Sequence, residues 1–299
     1  MRILVTGAGG FVGSALVEEL RRRGDEVIGA GRREVGEIGP ETDWRPLLAG
    51  AETVIHLANR AHVMTETGGD PEALFHRINV EGSVGLAEQA AAAGARRLVF
   101  VSSIKANGEE THAEAFTNTS QPAPWDAYGR SKWEAEQRLA AHCARTGLEL
   151  VVVRPPLIYG PRVKGNLRTL MNVVAKGIPL PLALVENRRS LIGLGNFCDV
   201  LALMARHPAA PGTWLVRDDE DLSTPELIRR MARALGRPPR LLPFPPALLR
   251  LAGRLTGRSA AVGRVLGSLQ VDDRATRAAL GWTPPMSVDE GLTAMAAEP

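Results

Sequence analysis

"RILVTGAGGFVG", residues Arg2 to Gly13, is the stretch on which the fold turns. A short apolar run ends in Gly7, Gly10 and Gly13, three apart, and a helical pattern begins at once. The spacing is not the G-x-G-x-x-G of many nucleotide-binding turns, but the physics is shared. Gly7 permits a tight turn, Gly10 lets backbone approach a pyrophosphate, and Gly13 lets the helix pack closely, while the amides of the first helical turn, including Phe11 and Val12, face the anion. The helix is expected from Phe11 to Arg23, with Val12, Ala15, Leu16 and Leu20 on one face and Gly24 as its C-terminal cap.

Further apolar runs follow, each closed by a helical pattern or a Gly/Pro break: "EVIGAG", "TVIHLA", "RLVFVSS" and "LELVVVRPP". Near-continuous hydrophobic strands separated by helices predict a parallel sheet covered on both faces, an α/β, Rossmann-type doubly wound fold. Beyond "RPPLIYGP" the pattern changes, with Pro-rich breaks at "GIPLPLA" and "LLPFPPALL" and a return to strand at "GTWLV". Residues 1–160 with 190–217 are therefore expected to form the dinucleotide-binding domain. Residues 161–189 with 218–299 are expected to form a smaller C-terminal substrate-binding lobe.

About twenty residues past the glycine turn, an NAD site usually carries Asp or Glu for the ribose 2′-hydroxyl. Counting along "DEVIGAGRRE" lands on Gly31, followed by Arg32 and Arg33, with no acid at that point. A small residue leaves room for a 2′-phosphate and Arg32 can bind it with paired charge-assisted hydrogen bonds, which favours NADP(H), with NAD(H) the alternative. The lesser alternative is that the two arginines are a solvated surface pair. Asp43 is a candidate for the adenine amine beside Trp44, and the chain at Leu57 and Ala58 for passing the cofactor; all four read equally as cap or loop residues.

"YGRSK" places Tyr128 and Lys132 four apart, on one face of a helix. Upstream, "VFVSSIKANG" puts Ser102 and Ser103 at the end of the fourth strand. An ammonium beside a phenol favours the ionised phenol, and a serine hydroxyl can hold a reacting oxygen. Tyr-x-x-x-Lys is common in helices, but this chain has only two tyrosines, and this one follows a Ser-ended strand.

Bulk properties narrow the rest. The chain has 299 residues, 36 Lys and Arg against 33 Asp and Glu, and its arginines are not interleaved with aromatics, so nucleic acid is not an expected partner. Cys143 and Cys198 suit neither a metal site nor a disulfide framework, and no metal is expected. With no leader pattern and no apolar run of spanning length, the expectation is a cytoplasmic protein without a membrane partner.

Gly7, Gly10, Gly13, Ser103, Tyr128 and Lys132, with Asn79 in "INVEGS", "RPPLIYGP" and "LGWTPPMSVDEGL", resemble the extended short-chain dehydrogenase/reductases, the NAD-dependent epimerase/dehydratase group. More narrowly, "VSSIKANGE", "YGRSKWEAE" and "RPPLIYGPRVKGN" are similar to bacterial nucleotide-sugar 4-ketoreductases of the UDP-N-acetylquinovosamine dehydrogenase type, which serve O-antigen synthesis. The resemblance implies that Tyr128 is the acid/base, that Lys132 lowers its pKa and binds the nicotinamide ribose, and that Ser103 bonds the reacting oxygen. It further implies cofactor contacts from Asn79 and Pro155, nucleotide-sugar contacts from Asn166 and Arg189, and a homodimer through the Tyr128 helix and the "VGLAEQAAAAGA" helix. Dehydratases of the family place acids after the catalytic hydroxyl residue, where this chain has Ile104 and Lys105. The expected activity is NADPH-dependent reduction of a nucleotide-linked 4-keto sugar. Its rivals are an NAD-dependent UDP-hexose 4-epimerase, a reductase of non-nucleotide ketones, and a non-catalytic NADP-binding redox sensor.

Overall fold

A computed structural model describes residues 1–60 and 70–297, so residues 61–69 of the expected dinucleotide-binding domain and the last two residues of the expected lobe lie outside the described residues. The chain alternates strand and helix from its start. β1 (Arg2–Thr6), α1 (Phe11–Arg22) and β2 (Glu26–Ala30) are followed by two short helices, α2 (Arg32–Val35) and α3 (Arg45–Leu48), and then β3 (Thr53–His56). α4 (Pro71–Phe75) runs through a π-helical turn, His76–Glu81, into α5 (Gly82–Ala92). β4 (Arg97–Val101) leads to a 3-10 turn, Ile104–Ala106, then to the long α6 (Ala127–Thr146) and β5 (Glu149–Arg154).

The strands are apolar on both faces because both faces are covered: every residue of β3 and β4 is buried. One face packs Ile3, Val5, Val99 and Val151 with Leu16 and Leu20 of α1. The other packs Leu4, Val54, Leu98 and Phe100 with Leu86 of α5 and Leu139 of α6. Six parallel strands form this sheet in the order β2-β1-β3-β4-β5-β8. Its register aligns Ala30, Thr6, His56, Phe100, Val152 and Thr213 in one row across all six. The order in which strands are added reverses between β1 and β3, and the crevice beyond their carboxyl ends is where such sheets bind ligands. The fold is thus the expected α/β doubly wound type.

After β5 come β6 (Leu157–Tyr159), α7 (Asn166–Ala175), β7 (Leu191–Gly193), α8 (Leu194–Met204) and β8 (Gly212–Leu215). β6 and β7 pair with each other in a separate two-stranded parallel sheet. The remaining helices are α9 (Thr224–Ala234), α10 (Pro246–Leu255), α11 (Ser259–Leu266), α12 (Arg274–Leu280) and α13 (Val288–Ala297). Tyr159, Leu167, Met171, Ile228, Met231 and Leu292 build a third core between α7, α9 and α13. Leu280 and Trp282, within the segment assigned to the lobe, pack instead with Phe197 and Leu201 of α8 against the main sheet. Asp218, fully buried, joins the two regions: it accepts from Tyr159 Oη (2.7 Å), Gly193 N (3.0 Å) and Asn196 Nδ2 (2.8 Å).

Candidate active site

The glycine turn is shaped by the absence of side chains. Gly7 has φ +70°, and a Cβ there would lie 2.9 Å from Ala58 N. A Cβ on Gly13 would stand 2.1 Å from Gly7 O, so α1 can start here only on glycine. Gly10 N donates to Gly7 O at 2.9 Å, and the amides of the first turn of α1, Phe11 and Val12 among them, have no partner within the helix. The turn is a cradle for a pyrophosphate, walled by Leu57 and Ala58 from the end of β3, and the residues present fit a dinucleotide.

At the end of β2 the structure corrects the expectation that no acid is available. Gly31 caps α2, whose turn brings Glu34 back so that its Oε2 accepts from Gly31 N at 2.7 Å. A Cβ on Gly31 would lie 3.8 Å from Gly9 N, so this carboxylate stands beside the glycine turn. Arg32 and Arg33 follow on the exposed side of α2. Asp43 is also exposed, its two oxygens held by Arg45 at 2.7 and 3.0 Å, which lowers its pKa. The Trp44 indole, only 1% exposed, packs in the core with Leu48 and Phe100, so its side chain is a core residue and not a cofactor contact.

Below the cradle runs a buried chain of hydrogen bonds whose direction can be assigned. Ser83 Oγ donates to Asn79 O (2.7 Å), so it must accept from His56 Nε2 (2.9 Å). His56 Nδ1 is then the acceptor of a hydrogen bond donated by the Thr6 hydroxyl at 2.6 Å, and Thr6 Oγ1 accepts from Ala58 N at 3.2 Å. Burial drives the His56 pKa down to about 3, assisted by Lys132, so the imidazole is neutral. Asn79 is 1% exposed and spends its amide inside the protein, accepting from Arg60 N (2.8 Å) and donating to Ser131 Oγ (3.0 Å) and Arg60 O (3.2 Å). It positions the loop after β3 against α6, and its amide has other duties than the expected cofactor contact.

Tyr128 and Lys132 lie on the first turns of α6. The Asp126 side chain caps the helix by accepting from Gly129 N at 2.7 Å, and a Cβ on Gly129 would sit 2.7 Å from Lys105 O. That close approach seats α6 on the turn that carries Ser103, whose hydroxyl lies near enough to Tyr128 to favour its ionised form. Pro155 is buried at the end of β5, its carbonyl accepting from Ile104 N at 3.0 Å, and so fixes the same turn from the other side. Lys132 is 1% exposed, with Nζ 4.0 Å from the centre of the Phe100 ring. Burial draws Lys132 down to about 7, against the opposing field of Glu136. Burial also pushes Tyr128 up to about 12, Asp126 adds to the rise, and Ser103 opposes it. The expected lowering of the phenol by Lys132 is not what this geometry gives: desolvation dominates at Tyr128, and Lys132 is not among the groups that shift it.

Sequence reasoning missed the buried groups behind this pair. Glu136, one turn beyond Lys132, pairs with Arg154 at 2.5 Å; both are nearly inaccessible. Ser102 Oγ donates to Glu136, and Arg154 Nη1 donates to Asn107 Oδ1 at 3.0 Å. The signal was a lone arginine closing the apolar strand "ELVVVR" and an acid four after Lys132. Lys105 is paired with Glu109 (2.7 Å) and Asp126 (2.5 Å), so the acids nearest Ser103 are neutralised. Asn166 is exposed at the start of α7, and Arg189 is half-buried with Nη1 held by the carbonyls of Arg264 and Gly267, each at 3.0 Å. Neither hydrogen-bonds to Ser103, Tyr128 or Lys132. Among the described residues no cluster of His, Cys, Asp or Glu could hold a metal ion, and no helix is long and apolar enough to cross a membrane.

Comparison with known proteins agrees with this geometry. A model of the NAD dependent epimerase/dehydratase family matches residues 3–216. The chain is 41% identical over 304 residues to a UDP-glucose 4-epimerase of Vibrio cholerae, covering 97% of this chain and 93% of that one. It is 27% identical over 315 residues to N-acetyl-alpha-D-glucosaminyl-diphospho-ditrans,octacis-undecaprenol 4-epimerase of Escherichia coli O157:H7, covering 97% and 92%. The solved UDP-glucose 4-epimerase of Thermus thermophilus, in complex with NAD, superposes with a TM-score of 0.77 at 25% identity, covering 100% of this chain and 98% of that one.

Proposed function

The chain belongs to the NAD-dependent epimerase/dehydratase family, and from that premise we propose that it interconverts the C4 epimers of a UDP-linked hexose, with NAD as a retained cofactor. The observation that carries the choice is the Glu34 carboxylate at Gly31 N. A carboxylate there accepts from a ribose 2′-hydroxyl and repels a 2′-phosphate, which turns the preference from NADP(H) to NAD. Two relatives named as 4-epimerases support the same reaction.

Gly7, Gly10, Gly13 and the first turn of α1 would hold the pyrophosphate, Glu34 the adenosine ribose, and Lys132 the second ribose. When bound, NAD supplies a hydride acceptor that can also return the hydride. Tyr128, in its phenolate form, takes the proton of the sugar's C4 hydroxyl and, once protonated, gives it back to the C4 oxygen, and Ser103 donates a hydrogen bond to that oxygen. Inverting C4 requires the sugar to present both faces, so the substrate must be gripped by its nucleotide; Asn166 and Arg189 are proposed for the diphosphate.

The reductase reading rests on Arg32 and Arg33, which remain available at the end of β2. The test is incubation of the purified protein with UDP-glucose and no added nicotinamide, followed by NMR, with the dinucleotide released by heat and identified. Appearance of the UDP-galactose C4 proton and released NAD are expected. NADPH consumption on a UDP-4-keto sugar, without interconversion of UDP-glucose, would overturn the proposal. Glu34→Ala is expected to weaken NAD binding about 10-fold by calorimetry, the loss of about 1.4 kcal/mol.

A further inference from the structure

From Leu227 to Val271 the chain carries nine arginines and no acid, although acids and bases nearly balance over the whole sequence. α10 lies in the middle of this stretch and packs against α11 through Gly253, where a Cβ would be 2.8 Å from Val262 Cγ2. Leu251 and Leu255 sit two residues to either side of Gly253, hence on the opposite face of the helix, and are 51% and 79% exposed. With Phe244 and Leu248 they form a stripe at spacings of four, three and four. Arg250 and Arg254 flank the stripe on α10 and Arg258 follows at the start of α11; all three are exposed and have no ion-pair partner among the described residues.

The patch extends beyond the helix. Leu242 N donates to Leu180 O and Leu180 N to Arg240 O, both at 2.8 Å, which lays the exposed Ile178 and Leu184 alongside. Of ten large apolar side chains exposed among the described residues, seven fall on these two adjoining segments. An apolar face of that extent on one lobe marks a binding surface.

We propose that α10 and the proline-rich turn before it dock the protein on an anionic lipid bilayer. The leucine stripe enters the boundary between headgroups and acyl chains, and Arg250, Arg254 and Arg258 meet the lipid phosphates. Charge selects this occupant: a second copy would bring the same unpaired arginines against one another, and nucleic acid would leave the leucines in water. A helix of 10 residues is too short to span a bilayer, but it needs only to lie in its surface. The proposal is independent of the reading of the catalytic site.

The test is sedimentation of the full chain with vesicles of phosphatidylcholine, alone or mixed with phosphatidylglycerol, at low and high salt. Recovery in the pellet should be about 10-fold greater with the anionic vesicles and should fall at high salt. The double variant Leu251→Ser/Leu255→Ser should lose it. Because both native cysteines are buried, Leu255→Cys carrying an environment-sensitive dye reports the docking face, and its emission should shift to the blue on anionic vesicles only. Four results would overturn the proposal: no pelleting with phosphatidylglycerol, pelleting without the dye shift, retention on duplex DNA in its place, or light scattering that shows a dimer abolished by the double variant in protein that ignores vesicles. Should the double variant fail to fold, the lipid, salt and dye measurements decide.

Discussion

Burial favours the protonated form of Tyr128, so its acid step is the easier one, and its base step needs a neighbouring positive charge to favour the phenolate. Tyr128→Phe keeps the ring against Phe75 and removes the hydroxyl; kcat should fall about 100- to 10,000-fold with KM little changed, as steady-state kinetics can measure. His56 offers a different test. Its folded pKa of about 3 lies below the unfolded value near 6.5, so the unfolded chain binds more protons between those limits. The stability that neutral His56 contributes is therefore complete above about pH 6.5 and is lost as pH falls toward 3, with a slope approaching 1.4 kcal/mol per pH unit at about the middle of that window. Urea unfolding of wild type and His56→Gln across that range should show the difference between them shrinking toward acid. At this scale the glycines and the Tyr–Lys pair were legible, because steric room and a four-residue spacing are local properties. Glu34 was not, because counting stopped at the strand end while a helical turn carried a later residue back to it.

α6 is seated by two contacts that have no counterpart in its apolar pattern: the close approach of Gly129 to Lys105 O and the buried pair of Glu136 with Arg154. Glu136→Gln leaves the Arg154 guanidinium uncompensated inside the protein and should cost about 3–5 kcal/mol in chemical denaturation. The same loss frees Ser102, the neighbour of Ser103. The strands of the main sheet were readable as continuous apolar runs because both faces are covered. β6 and β7 were not, since each has three residues and their pairing joins segments more than thirty residues apart. Trp44 misled for a related reason: sequence proximity to Asp43 suggested a ligand contact, while the burial of α3 against the sheet claims the indole for the core.

The main sheet and the lobe are joined through Asp218, which satisfies donors from β6, β7 and α8. Asp218→Ala would leave three buried donors without their acceptor and should cost about 3 kcal/mol or more, measured as a lower urea midpoint. The lobe was the least legible part of the molecule, because its core is assembled from helices remote in sequence. Its surface was passed over since a search for spanning length does not register a short helix whose polar face carries arginine alone. The order of the strands also bears on how the protein is made. β5 is complete at residue 154, yet its outer partner, β8, begins at residue 212, and Trp282 seals the same layer later still. During synthesis a growing chain must therefore expose an unpaired hydrophobic edge for some sixty residues of translation, a period in which ribosome-bound chaperones would be needed most.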